Sequence, residues 1–354
     1  MQRRSAIVTG VLLAAAAALA FGATLPIVAW AGRSVGPWTT AAALYAGAAI
    51  AALLLLGISA VRRAPSAGGS LQRNDLLRII AIATIGGALA PTLLAWGLQR
   101  SGAAVGSLLL NLEAVFTVLL ARAFFREPIG RRVAFAVALM ALGGAMLSID
   151  AWQSQTWELT GLLAVVAATL AWAADNTLMR PLAERNPLYV VAAKGTIGAL
   201  LTVVGATLAQ EPWPAMRALL ILLACGATGY GLSLRLYLLA QRNIGAGRTG
   251  SIFAMAPFVG AALAFAFGDR AITGWIVAAA GLFVSGVVLH VTEKHRHAHR
   301  HDALAHDHMH RHDDEHHTHS HDTPVVGAHS HFHTHHTTEH DHEHAPDVHH
   351  DHSH

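Results

Sequence analysis

Apolar residues run along this chain in blocks far longer than the stripe of a soluble amphipathic helix. Ten blocks approach the roughly 20 residues needed to cross a hydrocarbon core. They lie at about 6–31, 38–61, 76–98, 103–125, 132–149, 158–179, 188–209, 217–240, 246–267 and 271–291. In lipid the backbone must satisfy its own polar groups, so each block is predicted to be a helix. The breaks carry turn chemistry, as in Gly36-Pro37, Glu127-Pro128, Asn186-Pro187 and Glu211-Pro212-Trp213-Pro214. The first block follows Arg3 and Arg4, as a signal peptide would. It exceeds the roughly 7–15-residue core of such a peptide and reads as a first span. After residue 292 the apolar pattern stops.

Composition agrees with a membrane body. Only 13% of residues are charged, against roughly 25% in soluble domains. The charge is also divided. Residues 1–294 hold 21 of the 24 Lys and Arg and 10 of the 21 acids, while 24 of the 25 histidines lie beyond 294. The basic excess reads as membrane orientation, not as a nucleic-acid surface. With the N-terminus in the cytoplasm, 18 basic residues fall on the inside and four (Arg33, Arg100, Arg217, Arg270) on the outside. A miscounted span would scramble that split, so it supports an even number of spans with both termini cytoplasmic. Seven of the eight tryptophans (Trp30, Trp38, Trp96, Trp152, Trp157, Trp213, Trp275) mark the predicted outer boundary; Trp172 does not. Small pairs such as Gly102 with Gly106, Gly195 with Ala199 and Gly281 with Ser285 allow close helix approach. Cys225, the single cysteine, reads as a small packing residue.

The chain repeats itself. Around the fourth block it reads Gln99-Arg100-Ser101-Gly102-Ala103, then Gly106-Ser107, and closes on Arg126-Glu127-Pro128. Around the ninth it reads Gln241-Arg242-Asn243-Ile244-Gly245-Ala246, then Gly250-Ser251, and closes on Gly268-Asp269-Arg270. Phe21-Gly22-Ala23-Thr24 aligns more weakly with Trp172-Ala173-Ala174-Asp175. Five spans per repeat is an odd number, so the second half must be inverted, an architecture of secondary transporters. The domains predicted are 1–150 and 151–291 as the two halves, and 292–354 as a tail.

On these motifs, residues 6–291 resemble the EamA-type transporters of the drug/metabolite transporter superfamily. The resemblance implies an all-α, ten-span secondary carrier in a bacterial inner membrane, often an exporter of small metabolites, amino acids or toxic compounds. It implies a cavity between the first, third, fourth, sixth, eighth and ninth spans, and no cofactor for transport. It also implies a mid-helix proline in spans four and nine. Pro257 fits the second position; the first reads Asn111-Leu112-Glu113-Ala114, with an acid where the family pattern expects a kink.

Ionisable residues at membrane depth cost roughly 2.5–3.5 kcal/mol and mark a pathway or a pair. Glu113 is mid-span and suits a proton site or a contact to a substrate cation, with Thr117 on the same helical face; Asn111 is on another. Lys194 and Arg235 lie near inner ends and can snorkel to the cytoplasmic interface. Asp175 either lines the inner mouth or pairs with Arg180. Thr92, Ser233 and Tyr237 read first as interhelical hydrogen bonds.

The tail repeats histidine at alternate positions: His295, His297, His299, His301; His306, His308, His310, His312; His317, His319, His321; His329, His331, His333, His335; and finally His349, His350, His352, His354. Imidazole with interleaved carboxylates suits Zn²⁺, Ni²⁺, Co²⁺ or Cu²⁺. With little apolar content, the tail is predicted to be disordered without metal. The leading reading is therefore a carrier of a small organic solute whose tail binds divalent metal. The alternatives are a Zn, Ni or Co exporter, disfavoured because no histidine precedes His290, and a membrane-anchored metal store or sensor. No nucleophile–base pair suggests an enzyme.

Overall fold

The structure is a computed structural model that describes residues 2–62, 69–125, 129–153, 158–182, 185–244, 246–269 and 271–291, and four tail stretches, 295–301, 304–310, 329–335 and 338–344. Among the described residues nine helices are long and apolar enough to span a membrane. They are Ile7–Gly32, Pro37–Val61, Arg73–Ser101, Ala103–Phe124, Arg131–Trp152, Leu159–Met179, Pro187–Leu208, Met216–Gln241 and Arg248–Ala266, here the first to ninth helices. A tenth apolar helix, Gly274–His290, is shorter.

Their ends are tied by polar groups from distant loops. Pro37 opens the second helix, and Glu211 accepts from the free N–H groups of Trp38 (3.1 Å) and Thr39 (2.8 Å). Asn186 caps the seventh helix through the Leu188 N–H (3.0 Å), while its own N–H donates to the Gly69 carbonyl (2.8 Å). Asp269, beyond the ninth helix, accepts from the Ala104 N–H at 3.1 Å and so caps the fourth. Gly102 precedes that helix at φ +80°, and a side chain there would collide with the Asp269 carboxylate.

The bundle is assembled through small residues. The second helix packs along the seventh and the fifth along the tenth. The third lies against the sixth and seventh; the eighth lies against the first and second. The later half of the fourth meets the sixth, as the later half of the ninth meets the first. Exchanging the first five helices for the last five leaves these pairings unchanged. Gly195 admits the Ala49 backbone and Gly198 admits Gly87. Gly281 was expected to pack in the same way but meets open space. Gly286, five residues on, is the one pressed against Ala136 and Met140.

Among the described residues four interruptions break the helical ladder. The third and eighth helices each contain a π-helical turn, at Ala83–Leu89 and Gly226–Leu232. The ninth breaks between Ala246–Phe253 and Ala256–Ala266, with Pro257 in the first turn of the second piece. The fourth breaks between Ala103–Leu109 and Leu112–Phe125 without any proline. There Leu110 and Asn111 bond back three residues instead of four, and the Asn111 amide donates to the Leu108 carbonyl at 2.9 Å. The acid-containing segment is therefore interrupted, with Asn111 at the break and no proline.

Four described stretches of the tail are drawn as paired strands. His295–His301 pairs antiparallel with Thr338–His344, and Leu304–His310 with His329–His335. The candidate ligands His312, His317, His319, His321, His349, His350, His352 and His354 lie outside the described residues.

Candidate functional site

The charged residues expected at membrane depth converge between the fourth, sixth and seventh helices. Asp175 and Lys194 are 2% and 5% exposed, and the Lys194 Nζ lies 2.5 Å from Asp175 Oδ2. Lys194 therefore does not snorkel to the interface: its ammonium turns inward to the one buried carboxylate across from it. Asp175 has its partner in Lys194; the side chain of Arg180, the other candidate partner, lies outside the described residues. In a low-dielectric interior the two charges are tolerable only together.

The π-turn of the third helix makes room for this pair. A side chain at Gly86 would overlap the Asp175 carboxylate. The same turn leaves the Gly86 carbonyl pointing out of the ladder, where Tyr45 Oη (2.5 Å) and Trp172 Nε1 (3.2 Å) both donate to it. Asp175 Oδ1 is buried without a hydrogen-bond partner, as are Tyr230 Oη and Ser107 Oγ. Such groups are costly in a packed interior and sit where a ligand or water can bind.

Glu113 lies in the first turn of the second piece of the fourth helix, immediately past the break. It is half-buried and accepts a 2.6 Å hydrogen bond from the exposed Asn176 amide. Asp175 and Lys194 are close enough to act on it electrostatically. Thr117 donates to the Glu113 carbonyl (2.8 Å), so its hydroxyl is engaged by backbone. Asn111 is 4% exposed and committed to the helix break. Arg235 is half-buried on the eighth helix and pairs with neither carboxylate. Ser233 donates to the Ala17 carbonyl of the first helix at 2.8 Å, an interhelical bond as expected, whereas Thr92 donates at 2.8 Å to the Ala88 carbonyl of its own helix.

An aromatic chain runs beside the charges. Phe21 of the first helix lies 6.4 Å from Trp172, 5.6 Å from Tyr230 and 5.8 Å from Phe253, centroid to centroid. Phe253 in turn meets Tyr237 at 5.0 Å, and Tyr45 meets Tyr230 at 5.6 Å. Sequence reasoning missed most of these rings and Asn176. Two signals pointed to them. Trp172 is the tryptophan that stands off the outer boundary, and the repeat alignment placed Phe21 opposite Trp172.

Comparison with known proteins matches the chain to a family. The EamA-like transporter family matches twice, over residues 8–149 and 159–292. The chain belongs to that family and is an integral membrane protein related to transporters. It is 28% identical over 213 residues to an uncharacterized transporter of Methanothermobacter thermautotrophicus, covering 59% of this chain and 62% of that protein. It is 29% identical over 153 residues to an uncharacterized transporter of Synechocystis sp., covering 38% and 46%. These matches thus span less than two thirds of either relative. A crystal structure superposes with a TM-score of 0.57 at 19% identity, over 81% of this chain and 98% of that one, which shows a shared fold.

Proposed function

We propose that the chain is a ten-helix secondary carrier, with the tenth apolar helix also crossing the bilayer and the two halves inverted. It exports a small metabolite or drug-like solute from the cytoplasm across a bacterial inner membrane, with both termini inside. The exchangeable helix pairings and the matched interruptions support the inverted repeat. The observation that carries the reading is the buried Asp175–Lys194 pair beside Glu113 at a helix break. Charge at membrane depth next to irregular backbone is how carriers bind solute or coupling ion. The path runs past Glu113, Asp175 and Lys194, with Asn111, Thr117 and Pro257 shaping the breaks and Arg235 at the inner mouth. Among the described residues no three His, Cys, Asp or Glu side chains gather to hold a metal ion, which favours an organic solute. The histidine tail binds Zn²⁺, Ni²⁺, Co²⁺ or Cu²⁺ in the cytoplasm as a buffer or regulator.

The test is a deletion strain challenged with organic solutes and with metals. It is complemented by the full chain, by a truncation after Thr292 and by Glu113→Gln. Solute tolerance restored by the full chain and by the truncation, but not by Glu113→Gln, is the expected result. Metal tolerance lost on truncation, with no solute phenotype, would overturn the organic-solute reading in favour of a metal carrier.

A further inference from the structure

The two halves match in sequence but not in packing. The fourth and ninth helices are each broken into two pieces. Ala103–Leu109, the first piece of the fourth, packs against Ala256–Ala266, the second piece of the ninth. The other two pieces take different neighbours: Leu112–Phe125 lies on the sixth helix, and Ala246–Phe253 on the first and eighth. The repeat-matched pairs Gly106-Ser107 and Gly250-Ser251 record the difference. A side chain at Gly106 would strike Leu98, and Ser107 is fully buried. A side chain at Gly250 would meet only the Tyr237 hydroxyl, at 3.8 Å, and Ser251 is half-buried. The bundle is thus closed at the end where the fourth helix begins and looser at the end where the ninth begins.

One carboxylate ties the closed end. The ninth helix stops at Gly268 (φ +73°), where the Gly268 and Asp269 N–H groups fold back to the Phe265 and Ala264 carbonyls, each at 3.0 Å. That turn carries Asp269 across to the fourth helix. There its carboxylate accepts from the Ala104 N–H at 3.1 Å and lies 3.8 Å from the guanidinium of Arg33, just past the first helix. A cavity of about 210 Å³, lined in part by Arg33, Gln99, Arg100 and Gly102, adjoins the carboxylate. Water there can take over its hydrogen bonds when the helices separate, which the fully buried Asp175–Lys194 pair does not allow. Glu211 makes a similar cap on the second helix. The second and seventh helices that Glu211 joins pack along one another, so it braces a fixed pair.

We propose that Asp269 is the latch of an outer gate. It holds the outer pieces of the fourth and ninth helices together while their inner pieces stand apart, and it must leave the Ala104 N–H before solute can exit. This inference rests on the carrier reading above, which puts the closed end outside, and supplies its gate. Without the latch the closed state loses a cap that the opened state never had, so the population moves toward the outward-open form.

The experiment is labelling of the purified full chain in nanodiscs with a membrane-impermeant maleimide, both faces being accessible. The reporters are Ser107→Cys and its repeat counterpart Ser251→Cys, each in a Cys225→Ala background. With Asp269 intact, the Ser251→Cys thiol should label readily and the Ser107→Cys thiol slowly. Asp269→Ala should speed labelling at Ser107→Cys severalfold and slow it at Ser251→Cys. Gly102→Ala, whose side chain would displace the carboxylate, should do the same. Glu211→Ala should change neither rate. A monodisperse elution profile confirms that each variant is folded. Unchanged labelling at Ser107→Cys in both folded latch variants, equal acceleration by Glu211→Ala, or acceleration at both reporters together would overturn the inference. Flux into proteoliposomes separates the two levels. Solute flux by wild type with labelling unmoved by Asp269→Ala leaves the carrier reading intact and sinks the latch. No flux of any solute sinks the carrier reading and the gate with it.

Discussion

Lys194 illustrates how a single residue's role depends on what lies across from it. A lysine two turns inside a helix would ordinarily extend toward water. Here Asp175 stands opposite, and Gly86 has no side chain to keep the carboxylate away. Removing one partner of such a pair leaves a bare charge in the interior and costs about 3–5 kcal/mol. Asp175→Asn and Lys194→Met should therefore each lower the melting temperature of the detergent-solubilised protein. The Asp175→Asn/Lys194→Met double variant should melt closer to wild type than either single. Single variants that melt like wild type would mean the pair is solvated. Gly86→Ala should be as damaging as either, although it removes no contact. The acids and the lysine were legible in the sequence because charge is conspicuous in apolar blocks. Their pairing was not, since it depends on a π-turn that no residue type announces.

At the level of helices, the recurring device is an interrupted ladder. The ninth helix is broken at Pro257, which a sequence discloses. The fourth is broken by Asn111, whose amide competes for the Leu108 carbonyl, and the sequence alone reads as an unkinked helix. Asn111→Ala should cost about 0.5–1.5 kcal/mol of stability and reduce transport more than that loss of folded protein explains, because Glu113 is aimed from the first turn after the break. Transport that falls only in proportion to folded protein would refute the aiming role. The Asp269 cap on the fourth helix was likewise hidden. An acid at the end of the ninth helix was visible, but its partner is 165 residues away. Asp269→Ala should cost about 0.5–2 kcal/mol, as lost helix caps do, and thermal melting would reveal it.

Across the whole molecule, spans and their boundaries were the most legible feature, because length and hydropathy alone set them. The pairing of helices was partly legible through the internal repeat, which aligned Phe21 with Trp172 before any contact was known. The aromatic chain between halves was not, since each ring on its own is an ordinary membrane residue. The tail is separable from this assembly in composition and in charge. Truncation after Thr292 should leave the melting temperature and solute flux within error of wild type and abolish most Ni²⁺ or Zn²⁺ binding measured by calorimetry. Loss of flux on truncation would show that the tail and the helices act as one device.

On the proposed function, solute passes Glu113 and the Asp175–Lys194 pair. Solute flux into proteoliposomes holding equal amounts of folded wild type, Glu113→Gln and Glu113→Asp tests it most directly. The expected result is flux by wild type, little or none by Glu113→Gln, and partial recovery by Glu113→Asp. Full flux by a folded Glu113→Gln variant would contradict it.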